Sequence, residues 1–331
     1  MIYVENISKT FITKKSKLPG HIFKQEGYKK AIDNISFNIK KGEIVGYIGT
    51  NGAGKSTTIK IMSGIMVPTS GICKVNGIVP YENRIQNAKN IGVVFGQRTQ
   101  LWWDLPLVDT FEILKKIYEV GSNEFDIRMD YLQKVLGIDE FMNKSVRTLS
   151  LGQRMRADLA ASLLHIPKVL YLDEPTIGLD VIVKEKIREA IKKINNEYRT
   201  TIVLTTHDFD DIESLCDRIL IIDKGHIIYD GLIAAIKEKY SRYQKINIKV
   251  QNIATFLNIN IREIFNFIDF DIDEKEFLLK FKYVKGDFNL GSVISKIQEY
   301  SNIIDIEIIN NELSDVIREL SLNDYRDVRV N

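Results

Sequence analysis

The sequence predicts an α/β protein. A mainly parallel sheet interleaved with helices spans about residues 1–231, a short connecting helix follows at 232–240, and a small α+β domain occupies 241–331. Three observations predict this. Short apolar runs at Ile44–Ile48, Ile91–Phe95, Val169–Leu172, Thr201–Leu204 and Ile219–Ile222 alternate with helical patterns, the rhythm of βα units. The first run leads straight into a glycine-rich octapeptide, G-T-N-G-A-G-K-S, at 49–56. After Gly231 the rhythm changes to strand and helix patterns of a different order.

The totals leave room for this. The chain has 331 residues, enough for two domains of about 100–200 residues each. Its hydrophobic fraction is 44%, enough for a sizeable core, and its net charge of +2 is close to balance. A dedicated nucleic-acid binder normally carries a larger basic excess. The two cysteines, Cys73 and Cys216, are far apart and form no metal-ligand spacing, which fits a reducing compartment. The opening M-I-Y-V-E-N-I-S-K-T lacks the basic-then-apolar layout of a signal peptide. No apolar run approaches the roughly 18 residues that would span a bilayer. A soluble chain that docks on something embedded is therefore expected.

Taken in order, the first feature is a basic insertion at 12–30, with Lys14, Lys15, Lys17, Lys24, Lys29 and Lys30. It reads as a solvated loop or as a contact for anionic headgroups or an acidic partner. Next comes the octapeptide. It fits G-x-x-x-x-G-K-[S/T], the P-loop, with a strand before Gly49 and a helix beginning near Lys55. The glycines let the backbone curl so that its N–H groups converge on an anion, and the helix N-terminus adds partial positive charge. Lys55 would reach the β- and γ-phosphates, and Ser56 would offer its hydroxyl to Mg²⁺. A nucleoside triphosphate with Mg²⁺ is thus the expected ligand.

The run Val169-Leu170-Tyr171-Leu172 ends in Asp173 and Glu174. Asp173 would hold Mg²⁺, and Glu174 would lie near the attacking water as general base. Solvated acids at an ordinary strand end are the plain alternative, which the neighbouring P-loop disfavours. In the C-terminal part, Ile246, Ile248 and Val250 alternate as on a half-buried strand, Phe277–Val284 is a second strand, and Leu290, Val293, Ile294 and Ile297 form one face of a helix. Ile304, Ile306 and Ile308 give a third strand. No catalytic constellation is visible there.

Four further motifs complete an order. L-S-L-G-Q stands at 149–153, Gly178-Leu179-Asp180 follows the acids, T-T-H-D carries His207, and Gln97 follows the strand Ile91–Phe95. Together with the P-loop and the Asp-Glu pair, this order resembles the ATP-binding cassette (ABC) ATPases over roughly residues 1–231. The resemblance implies a P-loop NTPase fold, a RecA-like core with a helical subdomain. It implies that Phe11 stacks on adenine, with Tyr28 as a rival. Gly49, Asn51, Gly52, Ala53, Gly54, Lys55, Ser56 and Thr57 would cradle the phosphates. Ser56, Gln97 and Asp173 would surround Mg²⁺, with Gln100 a weaker candidate, since the run before Gln97 is one residue longer than usual. Glu174 and the switch histidine His207 would be catalytic.

Ser150, Gly152 and Gln153 resemble the signature that faces the γ-phosphate of an opposite subunit, and Asp180 the dimer-contact aspartate. The signature departs from the usual L-S-G-G-Q at Leu151. Read physically, Ser150 is a good N-cap for a helix running to about Leu164, whose positive end needs an anion to face. Two ATPs would then be buried between two cassettes, in a homodimer or a heterodimer with another ABC ATPase.

The stretches around R-T-Q-L-W-W-D-L-P (98–106), L-S-L-G-Q-R-M-R-A-D-L-A and D-E-P-T-I-G-L-D-V are similar to a bacterial subgroup of exporters with ABC-2 type permeases, the daunorubicin- and viologen-type efflux ATPases. This implies a separate membrane permease, no nucleic-acid partner, and a place at the cytoplasmic face of the membrane through that permease. Both tryptophans, Trp102 and Trp103, would line the permease contact or pack inside the helical subdomain. A C-terminal α+β domain, common among ABC-2 ATPases, would tune dimerisation or docking. The competing reading is a soluble ABC ATPase acting on nucleic acid or translation. The single P-loop, the near-neutral charge and the absence of coiled-coil heptads weigh against it.

Overall fold

The structure is a computed structural model that describes residues 1–14, 26–96, 98–241, 243–257, 269–284, 289–309 and 317. The described residues divide into two compact units at Ile233/Ala234. In the first unit the strands are β1 (Ile2–Lys14), β2 (Glu26–Ile39), β3 (Ile44–Gly49), β4 (Ser70–Val75), β5 (Ile91–Phe95), β6 (Val169–Asp173), β7 (Thr201–Thr205), β8 (Arg218–Asp223) and β9 (His226–Leu232). Its helices are α1 (Lys55–Met62), α2 (Arg84–Ala88), α3 (Leu107–Ile117), α4 (Ser122–Leu136), α5 (Leu151–Leu163), α6 (Val181–Tyr198) and α7 (Phe209–Leu215).

One sheet runs β5-β6-β7-β3-β8-β9, parallel except for the β8–β9 hairpin. Its central strands are covered on both faces, so β6 and β7 are almost wholly buried and read as continuous apolar runs. The second sheet, β2-β1-β4, is antiparallel, and its buried positions alternate: Ile2 and Val4 point inward while Tyr3 and Glu5 are exposed. Both sheets share one core with α1. Ile35, Phe37 and Val75 meet Ile59 and Met62 of α1 and Tyr47, Tyr171 and Leu220 of the parallel sheet. Each such side chain, fully buried, contributes about 1.5–3 kcal/mol. A separate group, α3, α4 and the outer part of α5, buries Phe111, Phe125, Met129 and Leu132 and forms a helical layer.

The residues from 12 to 30 are not a simple loop at their ends. Ile12↔Tyr28 and Thr13↔Gly27 continue the β1–β2 ladder, so the insertion begins and ends as a hairpin. Lys15, Lys17 and Lys24, central to the basic reading, lie outside the described residues. A solvent-facing polar hairpin reads from sequence much as a loop does, because neither face buries an apolar stripe.

One connection is strained. Ile166, between α5 and β6, sits in the left-handed region at φ 51 and is followed by Pro167, which also disfavours helical backbone before it. A β-branched residue there costs about 1–2 kcal/mol. Ile166 is 38% exposed, so the apolar burial lost on replacing it offsets only part of that cost. Ile166→Asn is expected to stabilise the first unit by about 0.5–1 kcal/mol, read as a rise in its thermal transition. An unchanged or lowered transition would show that the backbone relaxes at no cost.

In the second unit, α8 (Ile233–Ser241) precedes β10 (Tyr243–Val250), α9 (Ala254–Leu257), β11 (Asp269–Asp273), β12 (Leu278–Val284), α10 (Leu290–Gln298) and β13 (Ile303–Ile309). The sheet order is β11-β12-β10-β13, all antiparallel, a split βαβ arrangement. Ile246, Ile248, Leu279 and Phe281 pack against Val293 and Ile297 of α10. The opposite face carries Lys249, Lys280 and Lys282, cross-strand neighbours of Asp305, Asp271 and Asp269 respectively, and Lys245 opposite Lys282. Strand β11, with aspartates at every second position, has no sequence signal beyond that alternation.

Candidate active site at the carboxyl edge of the parallel sheet

Because β5, β6, β7 and β3 are parallel, their carboxyl ends open onto one edge. Phe95, Asp173 and Thr205 stand in register there. The segment after β3 is the P-loop. Gly49 is compulsory: a Cβ on it would lie 2.0 Å from the Ile222 carbonyl oxygen of β8. Gly54 takes φ 119 at the mouth of α1, where a Cβ would also meet the Ala31 carbonyl oxygen at 2.8 Å. Tyr47, buried in β3, bonds the Thr58 hydroxyl at 3.0 Å, and Thr58 donates to the Gly54 carbonyl at 3.1 Å. With the Thr58 proton thus committed, Tyr47 is the donor of the first bond. The loop is further held by Thr50 Oγ1 donating to Asp223 at 3.1 Å and Gly225 N to the Ala53 carbonyl at 2.9 Å.

Lys55 is 8% exposed, and its ammonium donates to the Gly49 and Thr50 carbonyls at 2.6 and 3.2 Å. Burial lowers its pKa, and the charges of Glu174 and Asp173 pull it back up. The lysine and the two carboxylates therefore share one electrostatic site. A buried cation satisfied by the loop's own carbonyls, inside a cradle that a Cβ would fill, suits a polyphosphate. Ser56 lies exposed in the first turn of α1, Thr57 beside it is half-buried, and Asn51 and Gly52 lie on the loop's outer side.

Asp173 accepts a hydrogen bond from the Thr205 hydroxyl. Glu174 adopts φ 56, and its N–H donates to the Thr205 carbonyl at 2.8 Å. This unusual backbone turns its carboxylate to His207, with Oε1 2.9 Å from Nε2. Gly96 fits beneath the turn, where a Cβ would meet the Glu174 carbonyl at 2.2 Å. Held non-glycine residues of this kind concentrate at functional sites. Gln97, expected at the metal, lies outside the described residues. Gln100, its weaker rival, donates its side-chain amide to the Asp158 carbonyl at 3.1 Å.

A buried polar cluster supports His207 from below. Asp211, fully buried, accepts from Arg188 Nε at 2.6 Å and from the Thr176 and Thr206 hydroxyls. Asp208 pairs with Lys184 and caps α7 through Asp210 N at 3.0 Å. Arg188 and Asp211 carry no motif, and Thr176 stands in the D-E-P-T-I-G-L-D-V stretch without a role read for it, so sequence reading passes over the cluster.

The signature residues open α5. Ser150 and Gln153 form a reciprocal capping box at the start of α5, 3.2 and 3.0 Å. Among the described residues no hydrogen bond joins them to the P-loop. Gly152 packs against α6, where a Cβ would lie 2.9 Å from Val183 Cγ1. Leu151 covers Gly178, its Cδ2 being 3.2 Å from where a Cβ on that glycine would stand, and remains 42% exposed. Asp180 caps α6 through Val183 N at 3.0 Å. With Ile177, Val181 and Ile182 also exposed, the region forms an apolar rim. Phe11 is half-buried and pairs with Lys29 on the hairpin, whereas Tyr28 pairs with Ile12 on the opposite face and is 71% exposed. The ammonium of Lys9 lies 5.5 Å from the Phe11 ring centroid.

Known proteins resemble this chain in sequence and fold. The family model for the ABC transporter matches residues 32–177. The Bacillus subtilis ABC transporter ATP-binding protein NatA is 32% identical over 209 residues, covering 63% of this chain and 85% of the relative. The chain belongs to the ABC transporter ATP-binding family. The B. subtilis linearmycin resistance ATP-binding protein LnrL is 29% identical over 93% of this chain and 98% of its own length, so that likeness extends into the C-terminal unit. Among solved structures, the dimeric post-hydrolysis state of the cassette MJ0796 bound to ADP and Pi matches with a TM-score of 0.60 and 28% identity, covering 70% of this chain and 99% of that one. The cassette is therefore an ABC ATPase, a transporter's ATP-binding subunit with a P-loop NTPase fold. Among the described residues no helix is long and apolar enough to cross a membrane.

Proposed function

We propose that the chain is the ATP-hydrolysing subunit of an ABC-2 type exporter, working as a dimer on the cytoplasmic face of the membrane with a separate permease. The observation that carries this reading is the pairing of Glu174 with His207 in a site whose carboxylate charges act on the buried Lys55, while the capped N-terminus of α5 is exposed beside an apolar rim. One copy supplies phosphate binding and the base; the exposed α5 terminus suits the nucleotide of another copy. Lys55 and the P-loop N–H groups bind the phosphates, and Phe11 stacks on the base. Ser56, Asp173 and Gln97 would hold Mg²⁺, which neutralises charge on the β- and γ-oxygens when bound. Glu174 takes the proton of the attacking water, oriented by His207. Asp180 and the apolar rim of Leu151, Val181 and Ile182 would close against the second copy. The C-terminal unit, included in the likeness to LnrL, would adjust docking or dimerisation. Export is favoured over other transport by the resistance function in the name of LnrL.

Trp102 and Trp103 are 38% and 47% exposed, at odds with packing inside the helical layer. They would line the permease contact. Co-expression with a candidate ABC-2 type permease tests this. The parent is expected to co-purify with that protein, and a Trp102→Ala/Trp103→Ala variant to lose at least about tenfold of the capture while retaining ATP turnover. Equal capture would remove the tryptophans from the contact. A catch dominated by rRNA or DNA would overturn the transporter reading.

A further inference from the structure

We infer that Asp158 is a positioning residue that fastens the loop after β5, at Thr99 and Gln100, to the signature helix α5, so that the Trp102–Trp103 segment and the Ser150 helix terminus move as one unit. The contact set is specific. Asp158 is 5% exposed, and its Oδ1 accepts from Thr99 Oγ1 and Gln100 N, each at 3.0 Å. Gln100 returns its side-chain amide to the Asp158 carbonyl at 3.1 Å, and Thr99 Oγ1 accepts from Leu101 N at 3.1 Å. One turn earlier on the same face of α5, the Arg154 guanidinium lies 4.5 Å over the Trp103 ring. The segment entering α5 holds the other end of the loop, with Arg147 N donating to the Trp103 carbonyl at 2.9 Å and Val146 N to the Leu105 carbonyl at 3.1 Å.

A carboxylate is a costly choice here. Its helix neighbours Ala157, Ala160 and Ala161 are small, buried and apolar, and an alanine would fit the helix without desolvating a charge. Burial pushes the Asp158 carboxyl up to about 6, against the pull of its hydrogen bonds from Gln100 and Thr99. What the residue supplies is a rigid tie between a loop and a helix. If the loop meets the permease and the helix meets the opposite nucleotide, the tie carries the state of one to the other, so this inference rests on the function proposed above.

Both tryptophans of the chain lie in the tied segment, so tryptophan emission, excited selectively over the 14 tyrosines, reports on it alone. The experiment uses the full chain carrying Glu174→Gln, with ATP and Mg²⁺, and measures dimerisation by sedimentation and tryptophan accessibility by acrylamide quenching. ATP is expected to change the quenching in the parent and in Asp158→Asn, whose amide oxygen can accept the same two hydrogen bonds. In Asp158→Ala the ATP-dependent change is expected to be at least about fivefold smaller, with dimerisation retained. Thr99→Val removes one of the two bonds to the carboxylate and leaves those from Gln100, so a smaller but clear reduction of the change is expected, which covers the case in which the alanine variant fails to fold. A full response in Asp158→Ala or Thr99→Val overturns the inference. So does its loss in Asp158→Asn, or a parent that dimerises with no change in quenching. A parent that does not dimerise with ATP instead removes the underlying functional reading, and the inference with it.

Discussion

Glu174→Gln is expected to lower ATP turnover by about 10²–10⁴-fold while leaving nucleotide binding intact. The substitution preserves size and shape and removes only the charge that accepts the water's proton. The backbone at φ 56 is set by the Glu174 N–H bond to Thr205 and by the clearance that Gly96 provides, neither of which involves the side chain. Fold and thermal transition are therefore expected to be unchanged. On the proposed function, blocking hydrolysis would leave the bound triphosphate shared between Lys55 of one copy and the α5 terminus of the other, so the variant is expected to accumulate as an ATP-bound dimer. Gel filtration with ATP and Mg²⁺, set against steady-state phosphate release, reads both. Unchanged turnover would remove Glu174 as the base. Lost turnover without a dimer would leave the base assignment standing and break the shared-triphosphate argument. His207→Ala offers a comparison: it removes the group 2.9 Å from the Glu174 carboxylate but keeps the base, so a smaller loss is expected.

The features that sequence made legible are those that leave a local signature. The strands of the parallel sheet appear as apolar runs because both of their faces are covered, and β3, β5, β6, β7 and β8 fall where those runs lie. The P-loop is a contiguous arrangement, so its glycines and Lys55 can be read as a string. Ser150 reads as an N-cap from the sequence, and α5 starts there, with Gln153 completing a capping box. What could not be read is what the fold assembles from distant positions. The hairpin arms near Ile12 and Tyr28 have no buried face to impose a pattern. Asp158 resembles any helix-surface acid until α5 is laid against the loop at Thr99. Ile166 in a left-handed conformation is invisible as well, since its strain is imposed by the path from α5 into β6 and not by its own preference.

Asp211 is the sharpest case of a distant assembly, and its removal carries the largest expected stability effect. Its carboxylate is fully buried and receives Arg188 on one oxygen and two threonine hydroxyls on the other. Arg188 is itself only 11% exposed in its side chain. Burial acts against its charge, and the hydrogen bond and charge of Asp211 outweigh that effect and raise its pKa. Asp211→Ala would leave that guanidinium with only the longer contacts to Glu185 at 3.4 Å and Asp208 at 3.8 Å. Stranding one partner of a buried pair costs about 3–5 kcal/mol. Breaking exposed pairs such as Arg147–Asp104 or Lys134–Asp130 costs about 0–1 kcal/mol. Denaturation followed by the emission of Trp102 and Trp103 reports on the first unit specifically. The cluster also grips the His207 loop from both sides, through Thr206 and through Arg188 to Asp208, so kcat is expected to fall further than KM rises. Asp211→Ala combined with Arg188→Leu removes both charges and is expected to recover part of the stability, because no unpaired ion remains. Turnover need not return with it, since Thr206 would still lack the acceptor that positions the histidine. A double variant as unstable as Asp211→Ala alone would show that the cost lies in the threonine hydrogen bonds and not in the stranded arginine.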